Sequence, residues 1–197
     1  MTIKLDCYTY FPNVYKDFKL KQKSLPNWIT DKTKELDYFT NIYKNNINVP
    51  LWSDMTLQVD NSGEVVHELT EDDKYKHKLT NIVSKTYYNE LMFSNVILLE
   101  LKSPWLIKSD SDIMFHYTTI LWNHIKSVDK FWFLNKAFSF KEPKQIDLTF
   151  MITMKAGRQG IAKGTEVMQL VPMSHEPVEI NHHLISPEEY EKIKNNK

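Results

Sequence analysis

The sequence predicts a mainly β fold, a compact barrel or sandwich with one or two short helices, and three observations support this. Roughly six to nine short segments rich in aromatic and β-branched residues follow one another at the close spacing typical of all-β domains. Turn-forming residues separate these segments, and helical patterns are confined to two places. The 197 residues are 42% hydrophobic, which suffices for a packed core and excludes a disordered chain.

Charge and cysteine content exclude several classes of protein. The 25 basic residues balance the 25 acidic ones, so bulk charge does not indicate a nucleic-acid binder, and we do not expect nucleic acid as a partner. Cys7 is the only cysteine, which excludes a disulfide-stabilised scaffold. No apolar run reaches the ~18 residues of a spanning helix, and the first residues lack the pattern of a secretion signal. We therefore expect neither a membrane partner nor export.

The first third of the chain predicts a strand, a helix and a hairpin. Ile3–Phe11 alternates apolar and polar residues, which is the pattern of a half-buried strand. Asp31 is a suitable N-cap for a helix with apolar residues at helical spacing, and Pro50 ends that helix. Leu51–Asp60 and Glu64–Leu69 flank an Asn-Ser-Gly turn sequence, so we expect a β-hairpin.

Apolar and aromatic runs fill the rest of the body. Pro104 divides two of these runs, because proline cannot donate a ladder hydrogen bond inside a strand. The predicted strands are Leu91–Leu101, Trp105–Ile107, Ile113–Leu121, Phe131–Phe140, Ile146–Lys155 and Thr165–Val171.

Residues 174–197 are polar, and we interpret them as a C-terminal tail on a single β-rich domain of residues 1–173. Ser186, Pro187 and Glu189 have the residue types of the N-cap and of the first and third positions of a short helix. That predicted helix ends near Lys194. We expect the tail to be peripheral, so that its removal leaves the body folded.

The sequence contains no recognisable catalytic constellation. It lacks nucleophile-elbow, phosphate-loop and dinucleotide-binding motifs, and His116 and His175 have no acidic residue at the spacing of an oxygenase-type metal site. We therefore predict no catalytic residue, no metal and no cofactor. Asp110 and Asp112 supply oxygen atoms that suit a cation, although a solvated turn between strands has the same pattern.

Aromatic residues and the single arginine complete the candidates. Trp132 lies between two phenylalanines, so its side chain projects from the opposite face of the predicted strand. Three roles are open for it: core packing, a subunit interface, or a stacking platform for a base or sugar. Arg158 lies in the glycine-rich stretch 156–164, which forms either two tight turns or an exposed site for an anion or a partner carboxylate. The candidates for binding a ligand or partner are Arg158, Trp132, Asp110, Asp112, His116 and Tyr117.

Four motifs follow one another along the chain: SLPNW at Ser24–Trp28, VPLWSD at Val49–Asp54, KSPWLIK at Lys102–Lys108 and IAKGTEVMQLVP at Ile161–Pro172. Together they resemble an uncharacterised family encoded by tailed phages of aquatic bacteria, with bacterial relatives, over residues 24–173. That family has no assigned activity. The resemblance implies a place in the host cytoplasm or the virion without implying a chemistry.

The stretch Ile161–Leu170 is also similar to the final-strand motif of trimeric dUTPases and dCTP deaminases, a likeness that covers residues 105–173. This resemblance implies a β-clip-like, dUTPase-like barrel, with a jelly-roll-like sandwich as the alternative. The stretch Asn135–Asp147 lacks the Gly-Ile-Asp-x-x-Tyr motif that holds the attacking water in those enzymes. No glycine follows Gly164, so their phosphate-closing arm has no counterpart either.

Three functions remain open at this point. The first is a non-enzymatic phage-type subunit that binds a protein partner or assembles with itself into a homo-oligomer. The second is a small-molecule or nucleotide-binding protein, an enzyme included, with a dUTPase-like fold that lacks the dUTPase catalytic aspartate. The third is a modulator of a host protein. The lack of a catalytic set favours the first, by analogy with other β-rich viral building blocks.

Overall fold

A computed structural model shows a mainly β, sandwich-like protein, as the sequence predicts. It describes residues 2–23, 27, 43–59, 65–70, 85–89, 94–120, 131–133, 135–154 and 157–195. Within these ranges no sheet closes into a barrel, so the structure supports the sandwich alternative. In chain order the elements are β1 (Ile3–Thr9), α1 (Pro12–Asp17), β2 (Lys21–Gln22), β3 (Ile47–Pro50), β4 (Asp54–Val59), β5 (Val65–Thr70), β6 (Lys85–Asn89), β7 (Ser94–Ser109), β8 (Met114–Thr119), β9 (Phe131–Phe133), β10 (Lys136–Ser139), β11 (Lys144–Met154), β12 (Gly157–Ile161), β13 (Glu166–Pro172), β14 (Val178–Leu184) and α2 (Pro187–Asn195).

Three sheets contain these strands. The large sheet has the order β14–β1–β7–β11–β9, with β6 also paired to the long strand β7. The second sheet has the order β10–β8–β13–β3–β2, and the third has the order β12–β4–β5. The pairing of β4 with β5 is antiparallel and confirms the predicted hairpin. The pairing of β1 with β14 is parallel, so these two strands cannot be joined by a short turn.

The core lies where the large and second sheets pack together, and large side chains fill it. Along β1, Ile3, Leu5 and Cys7 are each 1% exposed, which confirms the predicted alternation and makes Cys7 a small buried residue. Burial raises the pKa of the Cys7 thiol, so it is not a nucleophile in this state. Trp52 and Trp105 meet edge to face, with ring centroids 5.6 Å apart.

Strand β7 continues through Pro104, where the sequence analysis expects a break. The register passes from Gln145 opposite Leu106 to Asp147 opposite Lys102, so three residues of β7 face a single residue of β11. This irregularity is a β-bulge, which leaves residues unpaired and so tolerates a proline without an N–H group. One long strand therefore replaces two predicted short ones.

The C-terminal segment is bonded to the body. Strand β14, which the sequence analysis misses, extends the large sheet beside β1. The predicted helix start is confirmed in α2: the Glu189 N–H donates to Ser186 Oγ at 3.2 Å, and the Ser186 N–H donates to Glu189 Oε2 at 3.1 Å. Tyr190 of α2 is 3% exposed and packs edge-on against Tyr10. These contacts argue against a peripheral, removable tail.

Several other predictions differ from the structure in detail. Pro12 begins helix α1, which the sequence pattern does not predict, and proline suits the first helical position. The predicted strand Phe131–Phe140 divides into β9 of the large sheet and β10 of the second sheet. The predicted helix that begins at Asp31 lies outside the described residues over 31–42. Its predicted end at Pro50 is wrong, because Ile47–Pro50 is strand β3, which pairs with β2 and β13. None of the described helices has the length and apolar composition needed to cross a bilayer.

Gly164 occupies a position that requires glycine. Its φ is +79°, and its N–H donates to the Leu51 carbonyl at 2.7 Å, which fixes the turn before β13. An added Cβ would meet Phe18 at an ordinary 3.8 Å, so the penalty of a side chain is conformational. We expect Gly164→Ala to lower the free energy of unfolding by about 1–2 kcal/mol in urea denaturation. Gly160→Ala, in strand β12, is the control, and an equal loss there would contradict this explanation.

Candidate functional site

A cleft of about 600 Å³ lies at the junction of the large and second sheets, a volume typical of small-molecule sites. Strands β7 and β11 supply one wall, and β8 and β10 supply the other. The last turn of α2 borders the cleft through Lys194 and Asn195. The cleft is therefore assembled from four strands within residues 94–154 and from the C-terminal helix α2.

The bulge shapes the wall from the large sheet. Lys102 of β7 and Asp147 of β11 stand directly opposite each other in the ladder, so their side chains leave the same side of the sheet. Gln145, two residues before Asp147, donates from Nε2 to the Ser103 carbonyl at 2.6 Å. That bond satisfies a carbonyl inside the bulge and holds the Gln145 side chain at the cleft. Bulges are frequent beside functional sites because they redirect side chains in this way.

Cross-strand pairing builds the opposite wall. Tyr117 of β8 stands opposite Lys136 of β10, and Phe138 follows Lys136 on the same face. The Tyr117 and Phe138 rings meet at a centroid distance of 4.2 Å, which fixes the orientation of the phenol. Lys136 Nζ donates to Thr149 Oγ1 of β11 at 2.7 Å, so one lysine side chain connects the two walls.

Positive charge dominates the lining, although the whole chain is neutral. Two carboxylates, Glu142 and Asp147, face four ammonium groups in the cleft. Lys144 is partly held by the ring of Phe138, whose centroid lies 5.9 Å from its Nζ. A cleft with such an excess of cations attracts anions. The four lysines are Lys102, Lys136, Lys144 and Lys194.

Two polar atoms in this cleft lack the hydrogen bonds that buried groups normally make. Over the described part of the chain, three buried side-chain atoms have no partner: Trp52 Nε1, Tyr117 Oη and Asp147 Oδ1. The last two belong to residues that line the cleft. Elsewhere buried amides are paired, for example Asn48 Nδ2, which donates to Glu166 Oε2 at 2.9 Å. Because an unpaired buried polar atom is unfavourable, a hydroxyl and a carboxylate left unpaired together mark a place for a bound molecule.

The electrostatics of Asp147 fit this interpretation. Burial raises the pKa of its carboxyl above the ordinary value, and the charge of Glu100 adds to the rise. Three cleft lysines, Lys102, Lys136 and Lys194, act in the opposite direction without cancelling it. A carboxyl with a pKa perturbed by burial and by specific charged neighbours, inside a cleft, is typical of a functional site.

Tyr117 is the predicted candidate that lies in the cleft. It is 2% exposed, and burial together with the charge of Asp147 raises the pKa of its phenol, which keeps the hydroxyl protonated as a donor. His116 precedes it on β8 and therefore projects from the opposite face, away from Tyr117. Of the five predicted residues whose side chains the structure describes, the cleft lining includes Tyr117.

Asp110 and Asp112 lie in the exposed turn between β7 and β8. Ser139 Oγ donates to Asp112 Oδ1 at 2.8 Å, and Lys141 Nζ lies 3.9 Å from Asp112 Oδ2. These contacts occupy Asp112 with protein partners. Among the described side chains, no group of three His, Cys, Asp or Glu residues is placed to hold a metal ion.

Arg158 lies in the third sheet, and Trp132 lies at one end of the large sheet. Arg158 is exposed in β12, opposite Gln58, so the stretch predicted to turn at Gly157 is a strand of the third sheet. Trp132 lies in β9 at the end of the large sheet, opposite Met151. The prediction of a stacking platform concerns the Trp132 side chain, which lies outside what the structure describes. Among the candidates whose side chains the structure describes, Arg158, Asp110, Asp112 and His116 are thus not brought together with Tyr117 in the cleft lining.

No sequence motif singles out Asp147 or the four lysines of the cleft as candidate site residues. One signal was present: Asp147 is the only charged residue of 146–154, and it lies between Ile146 and Leu148, which are both fully buried. The lysines carry no local signal, because they are four among many in a lysine-rich chain. Neither the models of known protein families nor the curated proteins match this chain, so the geometry of the cleft carries the assignment of function.

Proposed function

We propose that this protein binds a small anionic molecule in the cleft at the junction of the large and second sheets. This is the second of the three functions that the sequence leaves open. One observation supports it most: Tyr117 Oη and Asp147 Oδ1 are unpaired inside a lysine-rich cleft. A bound molecule supplies the hydrogen bonds that the fold leaves unmade, and its negative charge offsets the excess of ammonium groups.

The size and burial of the site favour a small molecule over a folded partner. Tyr117 is 2% exposed, so a ligand with few atoms reaches its hydroxyl more readily than a protein surface does. Lysines bind phosphate and carboxylate groups as mobile point charges. The self-assembling phage-type subunit, the modulator of a host protein and the kinship with tailed-phage proteins stay predictions.

The first test uses inorganic phosphate as the probe and calorimetric titration as the measurement. We expect Lys102→Gln and Lys136→Gln each to weaken phosphate binding about three- to tenfold, because each removes one ammonium group from the cleft. Binding to the unaltered protein should also weaken as sodium chloride is raised, since salt screens partly exposed charges.

Lys108→Gln is the matched control, because Lys108 is an exposed lysine of the same strand β7 that does not line the cleft. Phosphate also stabilises proteins by exclusion from their surfaces, so a rise in melting temperature alone is uninformative. The decisive quantity is the difference between variants. Equal phosphate affinity in Lys102→Gln, Lys136→Gln and Lys108→Gln would contradict the proposed function.

A further inference from the structure

We infer that the ligand of the cleft is a phosphorylated polyol, a phosphate monoester that carries free hydroxyl groups, an inference that rests on the proposed function. The cleft offers two chemically different halves to its ligand. One half consists of donors, the lysine ammonium groups and the Tyr117 hydroxyl, and the other is an acceptor, the unpaired oxygen of Asp147, which stands opposite Lys102 in the ladder. A carboxylate or a phosphate-monoester dianion only accepts hydrogen bonds, so neither group satisfies both by itself.

The cationic half suits a phosphate better than a carboxylate. Among the described lining residues, four lysines against two acidic residues leave a net formal charge of two positive units, which matches a phosphate monoester close to its dianionic state. A phosphate also presents three terminal oxygens, whereas a carboxylate presents two. Lys102 and Lys136 come from opposite walls, and Tyr117 stands opposite Lys136 in the ladder, so the lining offers a donor for each of the three terminal oxygens.

Asp147 requires a hydrogen-bond donor from the ligand and repels an anion that carries no such donor. In its ionised form a carboxylate only accepts hydrogen bonds, so the group that pairs with Asp147 Oδ1 must carry an O–H or N–H. A fully deprotonated phosphate ester placed against Asp147 would instead suffer like-charge repulsion. A hydroxyl next to the phosphate ester resolves both requirements, because it donates to Asp147 and holds the phosphate toward the lysines.

The remaining lining suits a carbon skeleton. Phe138 and Pro143 contribute apolar surface between the polar groups, and a cleft of about 600 Å³ exceeds what one inorganic phosphate fills. The ligand therefore has a carbon framework that joins a phosphate to one or more hydroxyl groups, as in a sugar phosphate.

Calorimetric titration with three probes tests this inference on the full chain: ribose 5-phosphate, ethyl phosphate and ribose. We expect ribose 5-phosphate to bind about tenfold more tightly than ethyl phosphate, which lacks the hydroxyl groups, and ribose not to bind measurably. Asp147→Asn should reduce that preference about fivefold or more, while ethyl phosphate binds the variant equally well or better because a negative charge is gone. The melting temperature of Asp147→Asn verifies that the variant is folded.

The outcomes separate the inference from the proposed function. Equal binding of ribose 5-phosphate and ethyl phosphate, both weakened by Lys102→Gln, would overturn the polyol and leave an anion site. An unchanged preference in folded Asp147→Asn would overturn the role of Asp147 and with it the inference. Binding of ribose as tight as that of ribose 5-phosphate, or no binding of either phosphate ester, would overturn both.

Discussion

A chain that ends at residue 173 is expected to lose cooperative unfolding, because β14 and α2 are part of the packed body. The deletion removes the parallel partner of β1 along its whole length, from Ile3 opposite Val178 to Thr9 opposite Leu184. It also removes Tyr190, which is 3% exposed, and leaves a long unpaired edge that invites aggregation. Thermal unfolding followed by circular dichroism measures the effect. A truncated chain that melts cooperatively within a few degrees of the full chain would contradict this prediction.

Two point variants show whether specific contacts cause the loss. Tyr190→Ala is expected to lower the free energy of unfolding by about 3 kcal/mol, because it empties a buried site against Tyr10. Leu184→Ala is the control from the same segment, since Leu184 is 46% exposed, and we expect a change below about 1 kcal/mol. Similar losses of stability in the two variants would contradict the explanation that the packing of Tyr190 stabilises the body.

The contrast between β4–β5 and β14 shows how far local pattern predicts this fold. The hairpin is predictable because its strands alternate regularly and a turn sequence joins them directly. Strand β14 is mostly half-buried, with only Val178 fully buried, so its composition resembles that of a polar tail. Its partner β1 lies at the other end of the chain, and only that long-range pairing makes it a strand.

The cleft is less predictable from sequence than the fold. Tyr117 could be singled out because it is aromatic and lies in a strand. Its neighbours Lys136 and Asp147 come from β10 and β11, and the register of two separate sheets brings them together. The bulge at Pro104 adds a shift that no local pattern reveals, since a proline in an apolar run is typical of a strand break. A charged residue inside an apolar run, as at Asp147, is the signal that sequence reading should retain.

Tyr117→Phe is expected to change stability and binding in opposite directions. The substitution removes a buried hydroxyl that has no partner in the described structure and keeps the ring that packs on Phe138. We therefore expect the free energy of unfolding to rise by about 1 kcal/mol in urea denaturation. Affinity for ribose 5-phosphate should fall about tenfold or more in calorimetric titration, because a hydrogen bond to a charged group is lost.

Tyr190→Phe is the matched control, because Tyr190 is a second buried tyrosine that does not line the cleft, and its affinity for ribose 5-phosphate should be unchanged. A fall in the stability of Tyr117→Phe would mean that the hydroxyl already has a favourable partner in the free protein. Unchanged affinity would mean that the ligand does not reach it. The decisive result is a rise in the free energy of unfolding together with a fall in affinity. A hydroxyl that destabilises the free protein and strengthens binding serves function at the expense of stability.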